Sequence, residues 1–383
     1  MPSITTHVDL LINNKLYFVI MNNTTECISI IGAGSFGSAM TLVLANSSPK
    51  IHIKIWARRQ EVTNEINQSR TNKQYLPKNS RKFPKNVVAT SDIKVALSDS
   101  NIIFIAIPGE FIDNLLNDVN FNEKIVVSLV KSIKVSDRGD IITICELIKT
   151  RFPYSKVCVL TGPNMYDSLA RGEFAEATIA SEYSQVGTIV SKLFNRSFFK
   201  TDIIRDRVGA ELAGVLKNII ALGTGFIDVY SGSNAKAALI RSGLHEMYQL
   251  SLKLRYTVSY EAFFESASGI GDLLLTTHSG RGILLSKTYA EEYDLKYFKD
   301  LEAPERWELL ESRLFGNMKL PDWHTAYGVG KLLEIRGWFL EFPLLYRIYE
   351  IVWKDIHPQK IMEVLSVIKP KPIKRQYSLF TPS

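Results

Sequence analysis

A helix-covered, largely parallel α/β sheet followed by an all-helical half is the fold class that the sequence predicts, and three observations predict it. Between Glu26 and about Ile204, short β-branched runs alternate with helical stretches, the order of strands joined by crossover helices. Several of those runs are apolar without alternation, as expected of strands buried on both faces. After Asp206 the strand-like runs give way to long helical patterns broken by Gly and Pro. The chain has 383 residues, which at roughly 150 per domain suggests two or three domains. With 46% hydrophobic and 22% charged residues it has the makeup of a folded protein, which excludes disorder, collagen-like repeats and coiled coil.

Taken in order, the expected strands are Cys27 to Ile31, Ile51 to Trp56, Asn86 to Ala89, Ile102 to Ala106, Lys124 to Ser128 and Lys156 to Leu160. Helices are expected between them at Phe36 to Asn46, Asp92 to Leu97 and Asp137 to Lys149. The second half is expected to carry helices over Arg207 to Val229, Ala235 to Leu254, Thr325 to Arg336 and Pro343 to Trp353. This divides the chain into an N-terminal extension (1–25), a doubly wound α/β domain (26–204), a helical domain (205–369) and a basic, Pro-containing tail (370–383). Met21, just before the first strand, reads as a candidate functional start, and the first residues carry no assigned role.

The net charge of +7 favours anionic partners. The basic residues are dispersed apart from the tail Lys369 to Arg375, and none of the zinc-finger, arginine-rich or RNA-recognition patterns is present, so nucleic acid is not an expected partner. The three cysteines, Cys27, Cys145 and Cys158, are odd in number and widely spaced. They fit neither a disulfide framework nor a C-x-x-C pair, and the reading is a reducing, cytoplasmic compartment with no metal site. Glycines and Ser35 interrupt the apolar stretch Ile28 to Ala45, and Asn13, Asn14 and Lys15 interrupt Leu10 to Met21. Neither an integral membrane span nor a secretion signal is therefore expected.

Residues 28–39 place Gly32, Gly34 and Gly37 in a G-x-G-x-x-G spacing after an expected strand and at the opening of an expected helix. That context is what the spacing needs to mean something: the first glycine makes the tight turn, the second lets the backbone approach a pyrophosphate, and the third packs helix against strand. Dinucleotide binding follows. At the end of the second strand, where a carboxylate would hold a ribose 2'-hydroxyl, the chain has Arg58 and Arg59. Two guanidinium groups there favour a 2'-phosphate or stacking on adenine, hence NADP modestly over NAD, with the alternative that one arginine simply faces solvent.

In Ala210 to Ile227 the single charged group between Glu211 and Asp228 is Lys217. At about 100° per residue it shares a stripe with Ala210, Ala213, Gly214, Ala221 and Thr224, small residues that admit either another helix or a ligand. An ammonium in such a place carries a desolvation cost, and this favours a lowered pKa and an anionic or carbonyl ligand. The bland alternatives are a lysine that snorkels to water, or one held in a structural ion pair with Asp272. Lys131 follows the fifth strand on the side where doubly wound sheets bind ligands. Gly269-Ile270-Gly271-Asp272, Thr276 and Ser279-Gly280-Arg281-Gly282 offer a carboxylate, hydroxyls and a guanidinium on glycine-rich turns, a set that can grip a phosphate.

Together these residues resemble the NAD(P)-dependent glycerol-3-phosphate dehydrogenase family of bacterial type, from about Cys27 to Pro343. The resemblance rests on the glycine turn, Trp56-Ala57-Arg58, Tyr75-Leu76-Pro77, Ala106-Ile107-Pro108, Ser128-Leu129-Val130-Lys131, Thr161-Gly162-Pro163-Asn164, Leu216-Lys217-Asn218, Ala237 to Ile240 and Gly269 to Leu273. It implies a Rossmann-like N-terminal domain, an all-α C-terminal domain similar to that of 6-phosphogluconate dehydrogenase, and reversible reduction of dihydroxyacetone phosphate to sn-glycerol 3-phosphate for glycerophospholipid synthesis. It further implies cofactor contacts from Gly32, Gly34, Ser35, Phe36, Gly37, Arg58, Arg59, Lys131 and Arg281. Substrate contacts would come from Lys131, Gly162, Asn164, Lys217, Asp272, Thr276 and Arg281. Lys217 would transfer the proton, with Asp272 and Asn218 orienting it. A homodimer built on the apolar helical half is compatible with the sequence.

The chain departs from the family's pattern at several points. Ser-Arg-Asn beside the phosphate is Gly280-Arg281-Gly282 here, Ser-Phe-Ala-x-Glu after Gly-Pro is Asn164-Met165-Tyr166-Asp167-Ser168, Lys-Gly is Lys131-Ser132, and the late Glu-Gly is replaced around Pro321-Asp322. Two other readings accommodate these departures: a related dehydrogenase of an unphosphorylated hydroxy acid, and a cofactor-binding paralogue impaired in catalysis.

Overall fold

The computed structural model describes residues 27–194, 196–255, 257–316 and 319–368. The extension 1–25 with its candidate start Met21, and the basic tail 370–383, lie outside the described residues.

The strands are β1 (Cys27–Ile31), β2 (His52–Trp56), β3 (Val87–Thr90), β4 (Ile102–Ile105), β5 (Ile125–Ser128), β6 (Ile133–Val135), β7 (Ile141–Thr143), β8 (Lys156–Thr161), β9 (Ala175–Ala180) and β10 (Phe199–Ile204). Eight of them form one sheet in the order β10-β9-β8-β5-β4-β1-β2-β3, while β6 and β7 make a separate antiparallel pair. From β8 to β3 every pairing is parallel, with Ile31 beside both Trp56 and Ile105. β1, β4, β5 and β8 are buried along their whole length, which is why their sequences show no polar alternation. The chain leaves β1 toward β2 on one side and later returns through β4 on the other. The crevice beyond the carboxyl ends of β1 and β4 is thus the switch point where such sheets receive ligands.

The strands expected from the sequence lie within one residue of their observed ends, but the sheet is larger than they imply. β9 pairs antiparallel with β8, and β10 then runs parallel to β9, a mixed edge that the sequence reading missed. A second correction concerns Asp137 to Lys149, expected to be one helix. Residues 141–143 instead form β7, and the helix occupies only Ile144–Arg151. Thr143 stops it from extending backward: its hydroxyl accepts from the Glu146 amide, and the Glu146 carboxylate accepts from the Thr143 amide at 2.9 Å, a reciprocal cap that fixes the start.

The helical half begins at Arg207–Tyr230, whose N-cap Asp206 accepts from the Gly209 amide at 2.7 Å. This helix is long and apolar enough to cross a membrane by composition alone, a feature the sequence reading did not single out. Its apolar surface is instead covered by protein, with 89% of the most apolar window buried. The helices expected over Ala235 to Leu254, Thr325 to Arg336 and Pro343 to Trp353 are observed at Ser233–Leu254, Asp322–Ile335 and Pro343–Trp353, and the structure adds Arg281–Glu292 and Ala303–Phe315. Gly225 makes room for Arg281–Glu292, since a Cβ there would lie 2.0 Å from Ser286 Oγ. One sheet face packs its own helices around Ile28, Ile30, Phe104 and Val127. The other face, through Ile103, Ile105 and Val126, shares a single continuous core with Leu212, Leu216 and Ile220 of the long helix. That shared core fixes the position of Lys217 relative to the sheet.

Candidate active site

The glycine turn sits at the switch point. Gly32 has φ +116°, in the region that favours glycine, and a Cβ on it would lie 2.5 Å from the Ala106 carbonyl oxygen. A Cβ on Gly37 would lie 1.9 Å from the Gly32 carbonyl oxygen, so the helix Ser35–Ser47 can press onto the turn only without a side chain there. At Gly34 the space is open: no atom lies within 4 Å of where a Cβ would be. Gly34, Ser35 and Phe36 are half-buried at the mouth of this space, and the first amides of the helix have no partners within it. The turn therefore has the free backbone donors and the room that a pyrophosphate requires.

Sequence reasoning missed the residue that braces this turn. Asn72 is 1% exposed, and its Nδ2 donates to the Ala33 carbonyl at 2.9 Å and to Ser38 Oγ at 2.8 Å. It lies in a loop with no periodicity, so nothing local marks it. Of the two arginines after β2, Arg59 donates to Tyr75 Oη at 2.9 Å and to Gln74, and it lies over the Tyr75 ring. Arg58 is exposed beside it.

Across the crevice, Lys217 is 4% exposed. Its Nζ donates to Asp272 Oδ1 and to Thr276 Oγ1. The other carboxylate oxygen of Asp272 accepts from Lys131 Nζ at 2.5 Å, and Lys131 also donates to the Gly162 carbonyl at 3.3 Å. One buried carboxylate thus holds together two lysines that are 86 positions apart by their numbers, 131 and 217. The structure shows the ion pair with Asp272 and, with Lys217 buried, excludes the alternative of a lysine that snorkels to water. Burial is the largest influence on its ammonium and lowers its pKa from the usual lysine range to about 7; the Asp272 charge opposes this, while Lys131 adds to it.

Asp272 is placed by local sequence. Gly269 lies so close to the Ala262–Phe263 backbone that a Cβ would be 2.3 Å from the Phe263 carbonyl oxygen, and a π turn over Ala267–Gly271 then feeds the helix Asp272–Ser279. Thr276, one turn on, donates back to the Asp272 carbonyl at 2.7 Å while accepting from Lys217. Its hydroxyl therefore links the lysine to the helix that carries Asp272. Asn218 is buried on the same helix as Lys217, outside this hydrogen-bond set. Asn164 donates to the Glu176 carbonyl at 3.0 Å, tying the turn after β8 to β9, and its Oδ1 is buried without a hydrogen-bond partner among the described residues.

Arg281 and Gly282, expected on a glycine-rich turn, form instead the first turn of the helix Arg281–Glu292. Asp322, at the start of its own helix, is 7% exposed and lies against Gly282. It was noticed in the sequence only as a replacement.

The chain thus has a turn suited to a pyrophosphate and a buried lysine whose pKa is lowered to about 7, held with a second lysine on one carboxylate. That set suits proton transfer to a carbonyl oxygen on an anionic substrate. The family model described as NAD-dependent glycerol-3-phosphate dehydrogenase N-terminus matches residues 27–187, and the corresponding C-terminus model matches residues 206–363. A chloroplastic NAD(+) glycerol-3-phosphate dehydrogenase of Arabidopsis thaliana is 30% identical over 88% of this chain and 84% of its own. A cytoplasmic NAD(+) glycerol-3-phosphate dehydrogenase of Drosophila ezoana is also 30% identical, over 88% of this chain and 96% of its own. The solved glycerol-3-phosphate dehydrogenase of Dunaliella salina superposes with a TM-score of 0.82 at 25% identity over 91% of this chain; the chain spans 62% of that longer protein.

Proposed function

Because the chain belongs to the NAD-dependent glycerol-3-phosphate dehydrogenase family, we propose that its crevice interconverts dihydroxyacetone phosphate and sn-glycerol 3-phosphate, with Lys217 as the proton-transferring group. The observation that carries this reading is the Lys217–Asp272–Lys131 array, in which one buried carboxylate joins the lysine after β5 to the lysine of the long helix. A bound nicotinamide dinucleotide supplies or accepts the hydride at C2 of the substrate. Gly32, Gly34, Ser35, Phe36 and Gly37 would hold its pyrophosphate, with Arg58 at the ribose end. Lys217 gives its proton to the C2 oxygen in the reducing direction and takes one from the C2 hydroxyl in the other. Asp272 keeps the lysine chargeable despite burial and aims it; Lys131 and Arg281 supply positive charge for the phosphate. Cytoplasmic placement is what is said of the Drosophila ezoana relative, and we carry it to this chain.

The chemistry gives opposite pH dependences in the two directions. With a Lys217 pKa of about 7, the acid form needed for reduction is lost above that pH, so kcat/KM for dihydroxyacetone phosphate should fall about tenfold per unit there. The base form needed for oxidation is lost below it, so kcat/KM for sn-glycerol 3-phosphate should fall about tenfold per unit toward acid. Steady-state profiles in both directions from pH 5.5 to 9 check this. A single shared optimum, with both limbs on the same side, would contradict Lys217 as the transferring group.

NAD serves the family, and we propose that NADP is also accepted, through the exposed Arg58. Arg58→Ala should raise KM for NADPH by about tenfold while leaving KM for NADH within about twofold. Equal changes for both cofactors would remove Arg58 from the 2'-phosphate.

A further inference from the structure

Gly282 and Asp322 are matched to each other. A Cβ on Gly282 would lie 2.3 Å from Asp322 Oδ1 and 3.1 Å from its Cγ, so the space that a side chain at 282 would fill is taken by the Asp322 carboxyl. That carboxyl is held there by its surroundings. Glu311, fully buried on the helix Ala303–Phe315, accepts from the Leu320 amide at 2.6 Å and from Trp323 Nε1 at 3.4 Å, and pairs with Lys319 at 3.2 Å. The segment on both sides of Asp322 is therefore pinned to a buried anchor. The result is a carboxyl group 7% exposed beside the first turn of Arg281–Glu292.

Charged groups act on it from three other helices. Arg281, next in sequence to Gly282, and Lys217 on the long helix both favour its anionic form; Glu311 disfavours it. Asp272, bound to Lys217, adds a further negative charge to the same array. A substrate phosphate held by Arg281 would bring a second anion beside a buried carboxylate, and two like charges at close range do not both stay ionised.

We propose that Asp322 is a specificity-determining residue of the anion cradle: its carboxyl, set against Gly282 within the fields of Arg281 and Lys217, receives a proton when the phosphate group binds. This inference rests on the reaction proposed above, because it takes Arg281 as the phosphate ligand. Burial already pushes the Asp322 carboxyl up to about 6, so the proton is available at little cost at mildly acid pH and at rising cost above it. Phosphate affinity should then weaken with pH more steeply than Lys217 alone dictates.

Sulfate, whose charge is constant over the range, serves as the probe, and its dissociation constant is measured by calorimetry on the full chain and on Asp322→Asn at pH 5, 6 and 7.5. Lys217 titrates in both proteins, so most of its own pH dependence divides out of the ratio of variant to wild-type affinity. It should rise from about 1 at pH 5 to roughly 30 at pH 7.5, the protonated fraction of a group titrating near 6. A ratio that does not change with pH overturns the proposal. The steric match has its own readout: Gly282→Ala should raise KM for dihydroxyacetone phosphate about tenfold, and Asp322→Gly in the same chain should restore it to within about threefold. Additive losses in the double variant overturn it as well. Sulfate binding is read without turnover, so an inactive but sulfate-binding protein would refute the reaction while the ratio still decides the role of Asp322.

Discussion

Lys217→Met is expected to lower kcat by roughly 10²- to 10⁴-fold in both directions, the usual contribution of a positioned proton donor. The geometry makes the loss chemical. Methionine fills most of the volume, Asp272 keeps its bond to Lys131, and an ammonium with almost no access to water is removed, which relieves a desolvation cost. Asp272 nevertheless loses one of its two buried partners, so the melting temperature should fall, though less than for removal of Asp272 itself, and cofactor binding measured by nicotinamide fluorescence should change by less than about threefold, since the glycine turn is untouched. Retention of more than about a tenth of wild-type kcat would show that the proton comes from elsewhere. Water in the crevice or Lys131 would then be the group to examine.

Asp272→Asn is expected to act on stability and on pH dependence together. The carboxylate is 1% exposed and accepts from both lysines, so the isosteric amide leaves two ammonium groups facing each other without their counter-charge. Breaking a buried pair by removing one partner typically costs about 3–5 kcal/mol. The sign of the pH effect follows from the influences on Lys217. Asp272 raises its pKa against burial and against Lys131, so the variant's lysine should titrate below 7. The reduction limb should move toward acid, making reduction at neutral pH the more damaged direction, while the oxidation limb extends to lower pH. Thermal melting together with two-directional pH profiles checks both halves. An unshifted profile would mean that the short contact between Asp272 and Lys217 does not govern the lysine's charge.

How far the site was legible in the sequence differs from residue to residue. The glycine turn was fully readable because strand, turn and helix are contiguous, and the reason each glycine is needed, such as the approach of Gly37 to the Gly32 carbonyl, lies within that local stretch. Lys217 was readable as an anomaly, one charge in a long apolar helix. Asp272, 55 positions away, was named as a candidate ion-pair partner, but that the same carboxylate also holds Lys131 was not, since nothing local points from one lysine to the other. Thr276 was found, but its bonds to Lys217 and to the Asp272 carbonyl were not foreseen, because a hydroxyl one turn from Asp272 has the same sequence signature whichever groups it meets. Asn72 gave no signal at all. β9 and β10 escaped notice because their short runs carry charged residues such as Glu176, Lys200 and Asp202, and β10 lies at the sheet edge where burial is incomplete. β6 was not noticed and β7 was absorbed into an expected helix, because three-residue strands are too short for their alternation to compete with the apolar run that follows.

What the sequence determined by itself was the class of fold, the cofactor turn and the presence of an ammonium where one is costly. These depend on local backbone geometry, on periodicity and on the price of burying charge, each of which operates within a few turns of chain. The tertiary structure decided the partnerships: Asp272 between Lys131 and Lys217, Arg281 in a helix, and Asp322 in the space that Gly282 leaves empty. Such choices are set where segments remote in sequence share one packed core. Electrostatic and steric interactions act through space over a few ångströms, and only the folded chain fixes which groups stand that close.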